Sequence, residues 1–325
     1  MKNLSCYSGR PFAFVGRYVR SRLLSHSVIV GAVMAAVLCS VGTQYGIKFL
    51  VDSLAANLSH DVWLAFAILG LLIASDNLLW RLASWIASGT FVQVTRDLRR
   101  DLFRHLTGHA PSYFAGRLPG MLTSRITATS NAVYAMENMF VWNVLPPCLA
   151  TVSAIVLVAT ISLPMASILS VVGCFIVLAM FRLAAAGKPL HHDFAAKAAT
   201  VDGEMVDVVS NMTLVKSFCG ILREHDRFDA ALARETASRR RSLLFLEKLR
   251  LAHATITAAF TIGLVAWAIL LWRRGAATPG DVVLICTLGL AVLHATRDLA
   301  VALVDVTQHV ARLSESLATL LVQHE

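Results

Sequence analysis

The sequence predicts an all-α membrane fold in which six long spanning helices continue beyond the bilayer, and three observations predict it. Of the 325 residues, 57% are hydrophobic and 15% charged, and mean hydropathy is +0.66. A water-soluble domain of this length would have too little polar surface to cover so much apolar side chain. Six stretches each supply the roughly 20 mostly apolar residues that a helix needs to cross about 30 Å of hydrocarbon. Lysine and arginine gather in every second connection between those stretches, which is how basic residues sort when helices insert.

The first spanning window is 28–50. Residues 1–27 before it are basic, as in a signal peptide, but the apolar run is long enough to span and has no A-x-A site, so it is expected to stay as an anchor. Within 1–27, Phe12, Val15, Val19 and Leu23 alternate with Arg17, Arg20 and Arg22, the pattern of a basic amphipathic helix lying at the membrane interface. The second window, 62–87, carries Asp76, Asn77 and Arg81. The third, 138–161, contains Asn143 and the Pro146-Pro147 pair. A kink is expected there, because a proline withholds an amide and its ring crowds the preceding turn. The fourth, fifth and sixth windows are 165–185, 251–272 and 282–304.

Connections are short after the first, third and fifth windows and long after the second and fourth. Counting Lys and Arg gives five in 1–27, six in 88–131 and twelve in 182–250, against none in 51–61, none in 162–164 and two in 273–281. The positive-inside rule therefore predicts that both termini and both long loops are cytoplasmic. The net charge of +9 reads as topology rather than as a nucleic-acid footprint, and Arg239-Arg240-Arg241 as a solvated face or a contact with anionic lipid headgroups.

The long loops have helical periodicity. Phe91, Val94, Leu98, Leu102 and Leu106 form one stripe. Glu204, Lys216, Arg223, Glu224, Arg227 and Glu235 suit an exposed helix laced with i,i+4 pairs. Two helical hairpins should thus project from the membrane, with tips where the pattern breaks, near Pro111–Gly120 and near Ser210–Thr213.

Ionisable groups at membrane depth tend to face an interior or a wet cavity. On the sixth helix His294, Asp298, Asp305 and His309 recur at spacings of four, seven and four, along one stripe with Arg297 beside it. They either line a pathway, hinting at a partly polar or anionic cargo, or pair with other helices as structural glue. On the second helix Asp76 and Arg81 are poorly spaced for each other, so structural partners among Gln44, Lys48 and Asp52 are favoured over a substrate role. Lys48 and Asp52 form an i,i+4 pair, and Asn138 and Asn143 read as interhelical hydrogen bonders. The six cysteines are scattered, with no C-x-x-C, and read as free thiols. His191-His192 has no third ligand nearby, so no metal site is expected.

Four segments in order resemble one family. The first long loop reads Leu98-Arg99-Arg100-Asp101-Leu102-Phe103-Arg104-His105-Leu106, then Pro111-Ser112-Tyr113-Phe114, then Gly120-Met121-Leu122-Thr123-Ser124-Arg125-Ile126-Thr127. The second offers Glu204, Asn211-Met212-Thr213-Leu214-Val215-Lys216-Ser217-Phe218 and Glu224-His225-Asp226-Arg227-Phe228, and Gly275 to Val283 contains Thr278-Pro279-Gly280-Asp281. This is similar to the transmembrane domain of ATP-binding-cassette (ABC) exporters of the type-1, or type IV, fold. Where relatives often have an aspartate after "SRI", Ala128-Thr129 stands here.

The resemblance implies an elbow segment over 1–27, a six-helix domain over 28–321, and 322–325 as the end where a nucleotide-binding domain follows in fused relatives. It implies two coupling helices that dock the ATPase, through Gly120, Met121, Leu122, Thr123, Ser124 and Arg125, and through Ser210, Asn211, Met212, Thr213, Leu214 and Val215. It also implies ATP and Mg on that partner domain, a second six-helix module as a homo- or heterodimer, surrounding lipid, and a bacterial inner membrane. A phosphate-cradling G-x-x-x-x-G-K-[ST] loop does not occur; Gly187-Lys188 is followed by Pro189, with Arg182 where the first glycine would stand. The expectation is a permease without catalytic residues or a cofactor site of its own. The competing expectations are a transporter-derived interaction protein or remnant and, as a third class, an ion-coupled secondary transporter.

Overall fold

The computed structural model describes residues 4–56, 59–115 and 119–321. Residues 1–3, 116–118 and 322–325, which include parts of the elbow, the first tip and the C-terminal segment, lie outside the described residues. Of the described residues 93% are helical, and no strand occurs among them.

The elements are α1 (Pro11–Ser21), α2 (Leu23–Ala55), α3 (Ser59–Thr107), α4 (Pro111–Ala115), α5 (Pro119–Met139), a π-helical turn (Phe140–Val144), α6 (Leu145–Ile161), α7 (Leu163–Ala186), α8 (Lys188–Ser210), α9 (Met212–Ser217), α10 (Ile221–Arg273) and α11 (Pro279–Leu320). Six helices are long and apolar enough to cross a membrane. The apolar windows lie in α2, α3, the run from the end of α5 through α6, α7, α10 and α11. At 1.5 Å per residue the 49 residues of α3 and the 53 of α10 run roughly 70–80 Å, more than twice a hydrocarbon core. Each must continue outside it.

Packing divides the chain into two units, residues 1–177 with 260–325, and residues 178–259. In the first, one core of Ile29, Val33, Val37, Phe91, Leu169, Leu284 and Leu288 joins α2, α3, α7 and α11. A second lies where α3 and α11 extend. There the stripe Phe91, Val94, Leu98, Leu102 and Leu106 is buried along its whole length, and all but Phe91 pack with Leu122, Ile126, Leu313 and Leu317. The face that α1 turns toward this core is set by Phe14 and Tyr18, while Phe12 and Leu23 of the expected interfacial stripe are exposed. Tyr18 donates to Asp101 at 3.3 Å; burial, and then the Asp101 carboxylate, push its phenol well above its ordinary range.

The proline pair in the third spanning helix is preceded by a widened turn. Pro146 and Pro147 have no amides for the carbonyls four residues back, and the chain widens one turn earlier into the π turn, where the Leu145 amide bonds the Phe140 carbonyl. In the second unit, the charged residues expected to form i,i+4 lacing make contacts of other spacing, while an i,i+4 pair forms between Asp193 and Lys197. Arg227 lies 3.8 Å from Glu224, three residues back, and 3.9 Å from Glu204 on α8. Asp193 is held between Lys197, at 2.7 Å, and Ser238 of α10, at 2.5 Å; these bonds hold its carboxyl below the usual range.

Candidate functional site

Helices α2 and α11 meet at the end of the bundle that carries the short connections. Thr278 caps α11: its hydroxyl accepts from the Asp281 amide at 3.1 Å while its own amide donates to Asp281 at 2.9 Å. Pro279 fills the first helical position, where its missing amide costs nothing. The Asp52 carboxylate of α2 sits on this helix start, accepting from the Thr278 hydroxyl at 3.0 Å and the Gly280 amide at 2.9 Å, where the helix dipole favours negative charge. Lys48 pairs with Asp281 at 2.7 Å. The expected Lys48–Asp52 pair is therefore not made: each side chain turns to α11, whose capped terminus supplies a carboxylate for one and donors for the other. Gly280 explains itself here, since a Cβ would lie 2.5 Å from the Lys48 carbonyl and 2.6 Å from Asp52.

Toward the other end the same two helices border a cavity of about 630 Å³. Val37, Ser40 and Val41 of α2, Trp80 of α3, Trp142 and Asn143 of the π turn, Pro146, Pro147 and Ala150 of α6, and His294, Asp298, Val301 and Asp305 of α11 line it. The proline pair thus has a local consequence, because the widened turn it requires carries Trp142 and Asn143 to the wall. The rings of Trp80 and Trp142 lie 5.8 Å apart, tilted by 35°. The spacings four and seven bring His294, Asp298 and Asp305 together, as one helical stripe should.

Other sequence candidates lie elsewhere. Arg297 is not among the lining residues and pairs with its neighbour Asp298 at 3.0 Å, rather than with another helix. Arg81 is exposed, and among the described residues Asp76 has no bond to Gln44, Lys48 or Asp52, its Oδ1 being buried without a hydrogen-bond partner. Asn138 donates to the Tyr134 carbonyl of its own helix at 3.1 Å, so it links no helices. The sequence reading missed Trp80 and Trp142, although Trp80 follows Asp76 by one helical turn. It also missed Glu137, buried 3.4 Å from His26. No group of three or more His, Cys, Asp or Glu with metal-site geometry occurs among the described residues.

At the two tips, short helical pieces interrupt the long ones. In the first, Leu122 and Ile126 are buried anchors while Thr123 and Ser124 face outward and Arg125 is half-buried; Gly120 and Met121 are helical, and their side chains lie outside the described residues. In the second, Asn211 breaks the helix and α9 follows. Ser210 and Thr213 are exposed, Met212 and Val215 are half-buried, and Leu214, Phe218 and Leu222 leave a bare apolar surface. After α9 the Gly220 amide bonds the Val215 carbonyl and the Cys219 amide the Lys216 carbonyl, the two bonds of a Schellman cap. The left-handed position falls on Cys219, φ 51°, not on glycine.

Compared with known families, residues 26–294 match the model described as the ABC transporter transmembrane region. By sequence, no curated protein matches. Among solved structures, one described as a bacterial Atm1-family ABC exporter with ATP bound superposes with TM-score 0.74 at 20% identity, over 92% of this chain and 54% of that one. The chain thus spans about half the length of that exporter.

Proposed function

The chain belongs to the family of ABC transporter transmembrane regions, and from that premise we propose that it is the permease part of an exporter, moving its substrate by alternating access. The work comes from ATP, with Mg, hydrolysed on a nucleotide-binding domain that these 325 residues do not supply; they contain no phosphate-binding loop. The permease acts as a pair of six-helix modules in a bacterial inner membrane. Both termini and both hairpin tips face the cytoplasm, and the short-loop end with the Asp52–Gly280 clasp faces outward.

The observation that carries this reading is the second tip. Leu214 on the short helix α9, Phe218 at its C-cap and Leu222 in the first turn of α10 are 59%, 76% and 77% exposed at the end of a lever, an apolar surface suited to seat in a groove of a soluble domain and pass its motion on. Gly120, Thr123, Ser124 and Arg125 at the first tip, with Ser210 and Thr213 at the second, form the polar remainder of the docking surfaces.

The test is to co-express the full chain with candidate ABC nucleotide-binding domains and measure co-purification and ATPase activity in nanodiscs. Association is expected, with loss of at least tenfold in bound ATPase on Leu214→Asp or Phe218→Asp, equivalent to about 1.4 kcal/mol. If no such domain associates with the wild-type chain, the transporter-derived interaction protein becomes the better reading.

A further inference from the structure

The cavity combines two features that point to one class of ligand. Its walls include a facing pair of tryptophans, Trp80 and Trp142, 5.8 Å apart at their ring centroids. Its polar stripe carries Asp298 and Asp305, and no lysine or arginine is among its lining residues. Asp305 has no hydrogen-bond or ion-pair partner among the described residues. Asp298 has one, Arg297, but both members are more than half exposed, and such a pair contributes little and is easily exchanged.

Position supports the same conclusion. At 1.5 Å per residue Asp298 lies about 28 Å and Asp305 about 39 Å along α11 from Pro279, so the acids reach the long-loop margin of a core about 30 Å thick. A cargo entering from that side meets the acids and the indole faces together. The volume, about 630 Å³, is that of a site for a drug-sized molecule.

We propose that this cavity binds an organic cation of drug size, its apolar body against Trp80 and Trp142 and its positive group between those rings and the acids Asp298 and Asp305. Indole faces attract cations through their quadrupole, most strongly where water is excluded, and the two carboxylates, Asp305 unpaired among the described residues and Asp298 in an exposed pair with Arg297, add to that attraction. The sign is opposite to the anionic cargo that the bare polar stripe suggested, because the stripe's arginine is not on the wall. This assignment rests on the permease reading for its biological meaning, but binding itself needs no ATPase.

The test measures binding of tritiated tetraphenylphosphonium to the purified full chain by scintillation proximity, with displacement by unlabelled tetraphenylphosphonium or by tetraphenylborate. The two ions share four phenyl rings and differ in charge. Saturable binding is expected, with tetraphenylborate a competitor at least about tenfold weaker. The double variant Asp298→Asn/Asp305→Asn should weaken tetraphenylphosphonium by about tenfold or more, near 1.4 kcal/mol, and leave tetraphenylborate unchanged or tighter. Trp142→Ala should weaken both ions, and Asp305→Glu should stay close to wild type. Equal affinity for the two ions, or no saturable binding of tetraphenylphosphonium to the wild-type chain, overturns the proposal without recourse to any variant. Failure of nucleotide-binding domains to associate, with cation binding intact, would count against the permease reading alone.

Discussion

Helices α2 and α11 meet at two levels, and the chemistry differs between them. At the short-loop end Lys48, Asp52, Thr278, Gly280 and Asp281 form interlocking polar contacts between 2.7 and 3.1 Å, with no room for one more carbon at Gly280. Some 20 residues further along, the same helices border a cavity of about 630 Å³ in which Asp305 faces open volume. One contact is over-determined and the other is permissive. A helix pair fixed at the clasp and separated by a cavity beyond it can change its separation across that cavity, which a transporter's inner half requires.

The clasp should be the more sensitive of the two levels. Gly280→Ala places a methyl against the Lys48 carbonyl and Asp52, and is expected to destabilise the chain by about 3 kcal/mol, the upper range for overpacking, seen as a lower apparent Tm in detergent. Lys48→Met leaves Asp281 without its cation and should cost about 2 kcal/mol, as for a charged hydrogen bond. If either variant melts like the wild type, the clasp is not a fixed point.

Away from both ends, the second tip offers a gain. Cys219 occupies a left-handed position at the cap of α9, which costs a non-glycine residue about 1 kcal/mol; Cys219→Gly should raise stability by about that much, measured by slower proteolysis of the 178–259 hairpin. The smallest effect belongs to the cavity. Asp305→Asn removes no hydrogen bond or ion pair among the described residues and should leave Tm within what about 0.5 kcal/mol allows; a large loss there would mean that the cavity wall is also a joint.

Much of this was legible in the sequence because it follows from period and composition. The six spanning segments, the buried run from Phe91 to Leu106 and the one-face stripe His294, Asp298, Asp305 need only the helix repeat. What was not legible depends on which helices become neighbours. Lys48 and Asp52 satisfy an i,i+4 rule on paper, yet both turn to a helix start more than 200 residues away, as the Asp52–Gly280 bond across 228 positions shows. Asn138 bonds its own turn, a choice that no spacing announces. Trp80 and Trp142 lie on different helices, and only the widening before Pro146 aims the second at the first. Which of the equally apolar Phe12 and Phe14 enters the core was not legible either, because only the packing against α3 and α11 distinguishes them.

The permease reading requires the hairpin tips to lie on the cytoplasmic side and the clasp on the other. In a background with the six native cysteines replaced, Ser210→Cys and Ala276→Cys can be probed in intact cells with a membrane-impermeant maleimide. The expected result is labelling of Ala276→Cys from outside and of Ser210→Cys only after the membrane is opened. Labelling of Ser210→Cys in intact cells would contradict the account, because no cytoplasmic ATPase could then reach the levers.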